Sequence, residues 1–204
     1  MMKLLRHLCF LVIGVALIAC DNKDTSLSPL SKNDVILAFG DSLTYGTGAE
    51  PGSSYPEKLA KITGLKVINA GISGEETRDS RLRIASLLNQ YYPMLVIVCL
   101  GGNDLIRKRP IADIKENLRY IIQTIRKTGT QVILLGVPTL GMGLTVPDFY
   151  KELGDELGVP VDTSILVGLL AKPEYKSDYI HLNAVGYNIL AERIAEFLKE
   201  HKAI

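Results

Sequence analysis

Apolar residues along this chain fall into two kinds of pattern. Short unbroken runs, VILAF at 35–39, KVIN at 66–69, MLVIVCL at 94–100 and QVILLGV at 131–137, predict β-strands. The third is apolar throughout, as expected of a strand buried on both faces of a parallel sheet. Between the strands the period changes to that of helices. SYPEKLAKIT at 54–63 predicts a helix with Ser54 as its cap and Glu57 as the capping-box partner. TRDSRLRIASLLNQYY reads as helix up to Pro93. In PIADIKENLRYIIQTIRKTG, Ile111, Ile114, Leu118, Ile121, Ile122 and Ile125 recur at helical spacing, and Gly129 supplies the stop. AVGYNILAERIAEFLKEH at 184–201 again carries one apolar face.

Strands alternating with helices predict an α/β domain, a three-layer helix-sheet-helix sandwich around a mostly parallel sheet. Ligands bind such sheets beyond the carboxyl ends of the strands. The first strand runs into GDS (40–42), the second into NAGISG (69–74) and the third into GGND (101–104). Three polar, glycine-bearing turns therefore fall at one end of the sheet and are candidates for a single site.

Composition narrows the picture. With 204 residues, 47% of them hydrophobic, the chain has ample material for one core and little room for a second domain. Its start is foreign to the rest, because Lys3 and Arg6 precede an apolar run, Leu8–Ala19, that contains no acidic residue. This predicts an export signal, and the run is shorter than the about 20 apolar residues of a membrane-spanning helix. It closes on LIAC, 17–20, which resembles the bacterial lipobox, in which the cysteine is acylated and becomes the first mature residue. An ordinary cleaved signal with an incidental Cys20 is the alternative. The expected organisation is a signal over 1–19, a lipidated Cys20 and polar tether over 20–34, and one α/β domain over 35–204. Two or more acyl chains on Cys20 would hold the protein to a membrane surface. Asp21 resembles the inner-membrane retention signal of enteric bacteria, and inner and outer membrane both stay open.

Removing Lys3 and Arg6 from the 23 basic residues leaves 21 against 22 acidic ones, a net charge of −1. That balance offers no footprint for nucleic acid. Cys9 lies in the signal and Cys20 is the lipidation candidate, so Cys99 is expected to be a lone buried thiol.

The candidate chemistry centres on Ser42, two residues past Gly40. Of three histidines, His7 lies in the signal and His201 in the charged C-terminal tail, which leaves His181 as a base for Ser42. Asp178 stands three residues upstream, where a tight turn would bring its carboxylate to the imidazole Nδ1, the orienting position of a triad. The alternative is an Asp178 that caps a turn beside a solvated His181. An acyl-transfer site also needs donors for the negative oxygen of its tetrahedral intermediate. The backbone N–H groups of Ser42 and Gly71 and the side-chain amide of Asn103 are candidates. Gly71 as a backbone-angle requirement and Asn103 as a turn residue are the alternatives. No zinc-ligand cluster competes, the glycines near 40–48 lack the lysine and spacing of a P-loop, and Ser42 lacks a G-x-S-x-G frame.

GDSLTYG, NAGISGE, GGND and DYIH, in this order, resemble the sequence blocks of the SGNH hydrolases, also called the GDSL esterase family, and the resemblance runs from Val35 to the C-terminus. It implies a flavodoxin-like fold with five strands, Ser42 as nucleophile, Gly71 and Asn103 as oxyanion donors, His181 as general base and Asp178 as its partner. Family members commonly carry proline directly after the histidine and glycine two residues before it. Here those positions are Leu182 and Tyr179.

The reading is a serine hydrolase that needs no metal or cofactor and cleaves a small-molecule ester or thioester through an acyl-enzyme. Its pattern is most similar to the small bacterial arylesterase, thioesterase and lysophospholipase group, which implies a fatty-acyl substrate. A carbohydrate O-deacetylase of the cell envelope is the second reading, and a non-catalytic ligand-binding lipoprotein the third. TLGMGLTVP at 139–147 reads either as a movable wall for an acyl chain or as a loop packed on the core.

Overall fold

A computed structural model describes residues 25–141 and 143–204. The expected signal over 1–19 and the candidate lipidation site Cys20 lie outside these residues. The four strands expected from the pattern form β1 (Val35–Gly40), β2 (Lys66–Gly71), β3 (Leu95–Cys99) and β4 (Gln131–Leu135), and β5 (Val161–Asp162) adds a short fifth. All pair in parallel, in the order β2-β1-β3-β4-β5. Residues 95–100 of the central strand and its exit are inaccessible to solvent, which accounts for their unbroken apolar run.

The helices cover both faces, as the fold class requires. Helices α2 (Tyr55–Thr63) and α8 (Ala184–Glu200) pack together, as do α3 (Thr77–Tyr91) and α5 (Ile111–Arg126). The predicted capping box starts α2: Ser54 donates its N–H to Glu57 Oε2 at 3.1 Å and its hydroxyl to the same oxygen at 2.6 Å. Two short helices follow strand ends directly, α1 (Ser42–Tyr45) after β1 and α4 (Gly102–Ile106) after β3. The stretch after β4 adds elements beyond those expected, α6 (Phe149–Leu157), β5 and α7 (Ile165–Leu170).

The loop TLGMGLTVP has a fold of its own. Thr139 and Thr145 form an antiparallel bridge, and Leu144 and Val146 pack on the core while Leu140 stays exposed. Packing of Leu144 and Val146 thus holds the loop's second half, while Leu140, Gly141, Gly143 and Thr145 face solvent.

The polar stretch before β1 is not a free tether from residue 25 onward. Leu27 donates its N–H to the His201 carbonyl and Leu30 to that of Ala203, both at 2.8 Å, and both leucines pack against the core. Their spacing lets two apolar side chains face inward between polar neighbours, a signal easily lost in a segment that is polar on average.

Candidate active site

Strand order reverses between β1 and β3, the switch point at which open α/β sheets form a crevice. Register levels the strand ends, since Gly40 pairs with both Gly71 and Cys99. The turns after β1, β2 and β3 therefore meet, as their sequences suggested.

Asp41 caps α1, its Oδ1 accepting the Leu43 N–H at 3.1 Å, and this sets Ser42 at the first helical position. Gly40 leaves no room for a Cβ, which would stand 2.2 Å from Thr44 Oγ1 and 2.5 Å from the Cys99 carbonyl oxygen. His181 reaches the serine from the far side of the chain. Its Nε2 lies 3.1 Å from Ser42 Oγ, and its Nδ1 lies 2.7 Å from Asp178 Oδ2. The other oxygen of Asp178 accepts the N–H groups of Ile180 and His181, each at 2.8 Å. Asp178 is thus a turn cap and the imidazole's partner at once. Partial burial pushes its carboxyl up, but the His181 ring and the two amides outweigh this and hold it below the usual carboxylate range.

The two departures from the family pattern do no damage to this loop. Leu182 is fully buried, packs into the core and bridges to Lys176 in place of the proline. Tyr179 is 91% exposed and has no positive φ, so its position makes no demand for glycine. The loop docks on the loop that follows Ser42 at Gly48, where a Cβ would stand 2.0 Å from Ser177 Oγ.

The oxyanion candidates divide. Asn103 reaches the site from the start of α4, its Nδ2 donating to the Glu75 carbonyl at 3.1 Å and to Asp41 Oδ2 at 3.3 Å. Gly71 does not offer the expected donor, because its N–H is committed to Asn69 Oδ1 at 2.9 Å. A glycine is needed there for space, since a Cβ would stand 2.1 Å from the Tyr45 nitrogen. The next glycine along, Gly74, occupies a turn closed by the Glu75 N–H on the Ile72 carbonyl, with φ of 79°. Its N–H, like that of Ser42, donates to no described protein atom. The ISGE turn signature was the clue available in the sequence.

Beneath the turns lies a network that no motif announced. Arg83 of α3 grips Glu75 through Nε at 2.6 Å and Nη2 at 2.5 Å, and Nη2 also donates to the carbonyls of Ala70 at 2.9 Å and Gly40 at 3.3 Å. One guanidinium thereby ties the ends of β1 and β2 to the residue whose carbonyl orients Asn103. Asp104 joins the third turn to the second by accepting the Thr77 N–H at 3.0 Å and hydroxyl at 2.6 Å. Asp41 is buried as well. Burial pushes its carboxyl up to about 7, against the pull of the Leu43 amide and of His181.

Ser42 and Asn103 open into a cleft of about 380 Å³, within the range of small-molecule sites. Leu105, Ile106, Val137, Leu140, Leu170 and Ile180 make its wall largely apolar, and Lys108 stands at the edge.

A strand-end serine, a histidine and an aspartate gathered at the switch point of a parallel sheet, beside an apolar cleft, mark the class of SGNH-type carboxylic ester hydrolases. Residues 38–189 match the sequence model of the GDSL-like Lipase/Acylhydrolase family, and the chain belongs to that family. It is 29% identical over 180 residues to an arylesterase of Vibrio mimicus, covering 83% of this chain and 90% of the relative. Over 174 residues it is 28% identical to thioesterase 1/protease 1/lysophospholipase L1 of Escherichia coli (strain K12), covering 81% and 84% of the two chains. It is also 33% identical over 114 residues to an uncharacterized lipoprotein, YqeF, of Bacillus subtilis (strain 168), a match over 49% of this chain and 46% of that one. The crystal structure of the psychrotrophic esterase EstA from Pseudoalteromonas sp. superposes with a TM-score of 0.74 at 20% identity, covering 82% of this chain and 98% of that one, and so shares the fold.

Proposed function

We propose that this esterase-family protein hydrolyses fatty-acyl or aryl esters and thioesters through an acyl-enzyme on Ser42, and that it is held to a membrane by acylation of Cys20. The observation that carries the catalytic reading is the chain of short contacts from Asp178 through His181 to Ser42. With its Nδ1–H donated to Asp178, the imidazole presents Nε2 as an acceptor. It takes the Ser42 proton as Oγ attacks the carbonyl carbon, then returns that proton to the leaving alcohol or thiol. Water attacks the acyl-enzyme by the same route and regenerates the serine. The negative oxygen is met by the N–H groups of Ser42 and Gly74 and by the Asn103 amide, whose longer bond, to Asp41, gives way to it.

An apolar cleft beside Ser42 favours an acyl or aryl group over a carbohydrate, and the names of the Vibrio and Escherichia relatives agree with that choice. The lipobox-like LIAC and the lipoprotein named among the relatives support the anchor. A fluorophosphonate probe followed by a panel of p-nitrophenyl esters tests the reading. The probe labels Ser42, and turnover rises from acetate to longer chains. An unlabelled, folded protein overturns the serine mechanism, and activity confined to acetate overturns the fatty-acyl assignment.

A further inference from the structure

The described chain begins at the end of the molecule opposite the active site. Thr25–Leu30 docks beside the C-terminus and the entry to β4: besides the Leu27 and Leu30 bonds, Ser28 donates its N–H to Gln131 Oε1 at 2.5 Å and accepts from Gln131 Nε2 at 3.0 Å. Gln131 is the first residue of β4, whereas Ser42, Gly74 and Asn103 all follow strand ends. Six residues of β1 at about 3.3 Å each put about 20 Å between the two ends.

The amino end of the sheet also differs in its surface. Lys32, Lys61, Lys66, Lys127 and Lys202 are exposed there, and none is ion-paired among the described residues. Among the described residues the acids on that end include Asp34, tied to the Ser31 N–H at 2.6 Å, and Glu200, while Asp155 and Glu156 near the end of α6 pair with Lys151 and Arg119. Among the lysines stand Tyr92 at 79% exposure, Met94 at 44% and Ile62 at 43%. Lysines at helix ends answer the helix dipole, which accounts for Lys61 and Lys127. It does not account for Lys32 and Lys66, which sit at strand entries, or for the exposed aromatic and aliphatic side chains.

We propose that this amino-end face rests on the anionic surface of the bilayer that holds Cys20, with the active-site mouth turned away from that bilayer. The inference rests on the acylation of Cys20 and adds an orientation to it. Four residues lie between Cys20 and Thr25, five chain steps with a reach of at most about 18 Å. A domain of this size is about 40 Å across, so that length cannot carry the mouth around the flank while Leu27 and Leu30 stay docked. Lysines with aromatic and aliphatic neighbours suit an anionic interface, the cations meeting headgroups and the apolar groups entering the boundary. The mouth has exposed apolar residues too, among them Tyr45, Ile72, Ile106 and Leu140. The point of chain exit decides between the two ends. As a consequence, substrate reaches Ser42 through water, as a soluble ester, thioester or monomeric lipid, rather than sideways from the anchoring leaflet.

The test uses the full chain purified from membranes, with its acylation read by intact mass. It is reconstituted in vesicles of phosphatidylcholine and phosphatidylglycerol doped with a nitroxide-headgroup lipid. Fluorophores are placed singly on Lys127→Cys and Tyr179→Cys, the native Cys99 being buried and out of reach. The expected result is several-fold stronger quenching at 127 than at 179, weakened when phosphatidylglycerol is omitted. Equal or stronger quenching at 179, or no quenching at either position of an acylated protein, overturns the proposal. If the mass shows no acyl group on Cys20, the anchor reading fails separately, and flotation of the same protein with the anionic vesicles then judges the face. Capture with quenching at 127 supports it, and absence of capture overturns it.

Discussion

The two ends of the sheet are made from the same strands yet are built on opposite rules. At the carboxyl end the chain buries acids: Asp41, Glu75, Glu76 and Asp104 are each less than one-tenth exposed, and every one of them is hydrogen-bonded. At the amino end charge stays in water, and the helices run out into lysines and partly exposed apolar side chains. A buried carboxylate costs several kcal/mol unless its partners replace water, so such groups persist where a geometry must be held rather than where a surface must be covered. The carboxyl end is a hydrogen-bonded polar frame around Ser42. The amino end is a solvated face with a peptide strap across it.

The largest effect that would break this contrast belongs to Asn103. Asn103→Ala should lower kcat on a p-nitrophenyl ester by about 100-fold to 1,000-fold, or roughly 3 to 4 kcal/mol, with little change in KM, because the amide acts mainly on charge that develops in the transition state. Unfolding of the same variant must be measured, since Asn103 also holds the Glu75 carbonyl. Unaltered kcat in a folded variant would remove Asn103 from the oxyanion hole.

Asp41 supplies the next effect. Its carboxyl titrates near 7 in the folded chain and near 3.8 when exposed, so the folded state binds the extra proton between those values. Stability from this group is full below about 4, declines as pH rises toward 7 and is flat above. The decline between pH 5 and 7 amounts to about 2 kcal/mol. Asp178 works in the opposite sense: its depressed carboxyl contributes stability above the usual carboxylate range that is lost only as pH falls below about 4. Urea unfolding at pH 5 and 8 separates the two, and Asp41→Asn should remove most of the difference. The same slope in both proteins would show that Asp41 is not held neutral by burial.

The smallest effect lies at the amino end. Leu27→Ser with Leu30→Ser should undock the strap at a cost of about 1 to 2 kcal/mol per site, leave kcat on a soluble ester unchanged, and expose 25–33 to proteolysis. In vesicles the same pair should also weaken the difference in quenching between positions 127 and 179, because the free tether becomes longer. A strap that stays protected would mean that its backbone bonds, rather than the leucines, hold it.

Much of this was legible from the sequence alone because its physics is local or periodic. Four strands, four long helices and the capping box follow from apolar spacing and cap chemistry, and the meeting of GDS, NAGISG and GGND follows from strand polarity. Ser42, Asn103, Asp178 and His181 could be singled out because each is a reactive type at a strand end or beside the last helix. Tertiary structure alone decided the rest. Gly71 is the donor expected from the sequence, and only the folded turn commits its N–H to Asn69 and leaves that of Gly74 without a partner among the described residues. Arg83 sits on a helix with no motif around it, and its value lies in carbonyls 13 and 43 residues away. Strand β5, two residues long, exists by pairing with β4 rather than by any propensity of its own. The strap at Thr25–Leu30 is polar on average, and its two leucines gain meaning from carbonyls at the other terminus. Spacing along the chain reports which face a residue takes within its own element, whereas these four features depend on contacts between distant segments that exist only after the chain has folded.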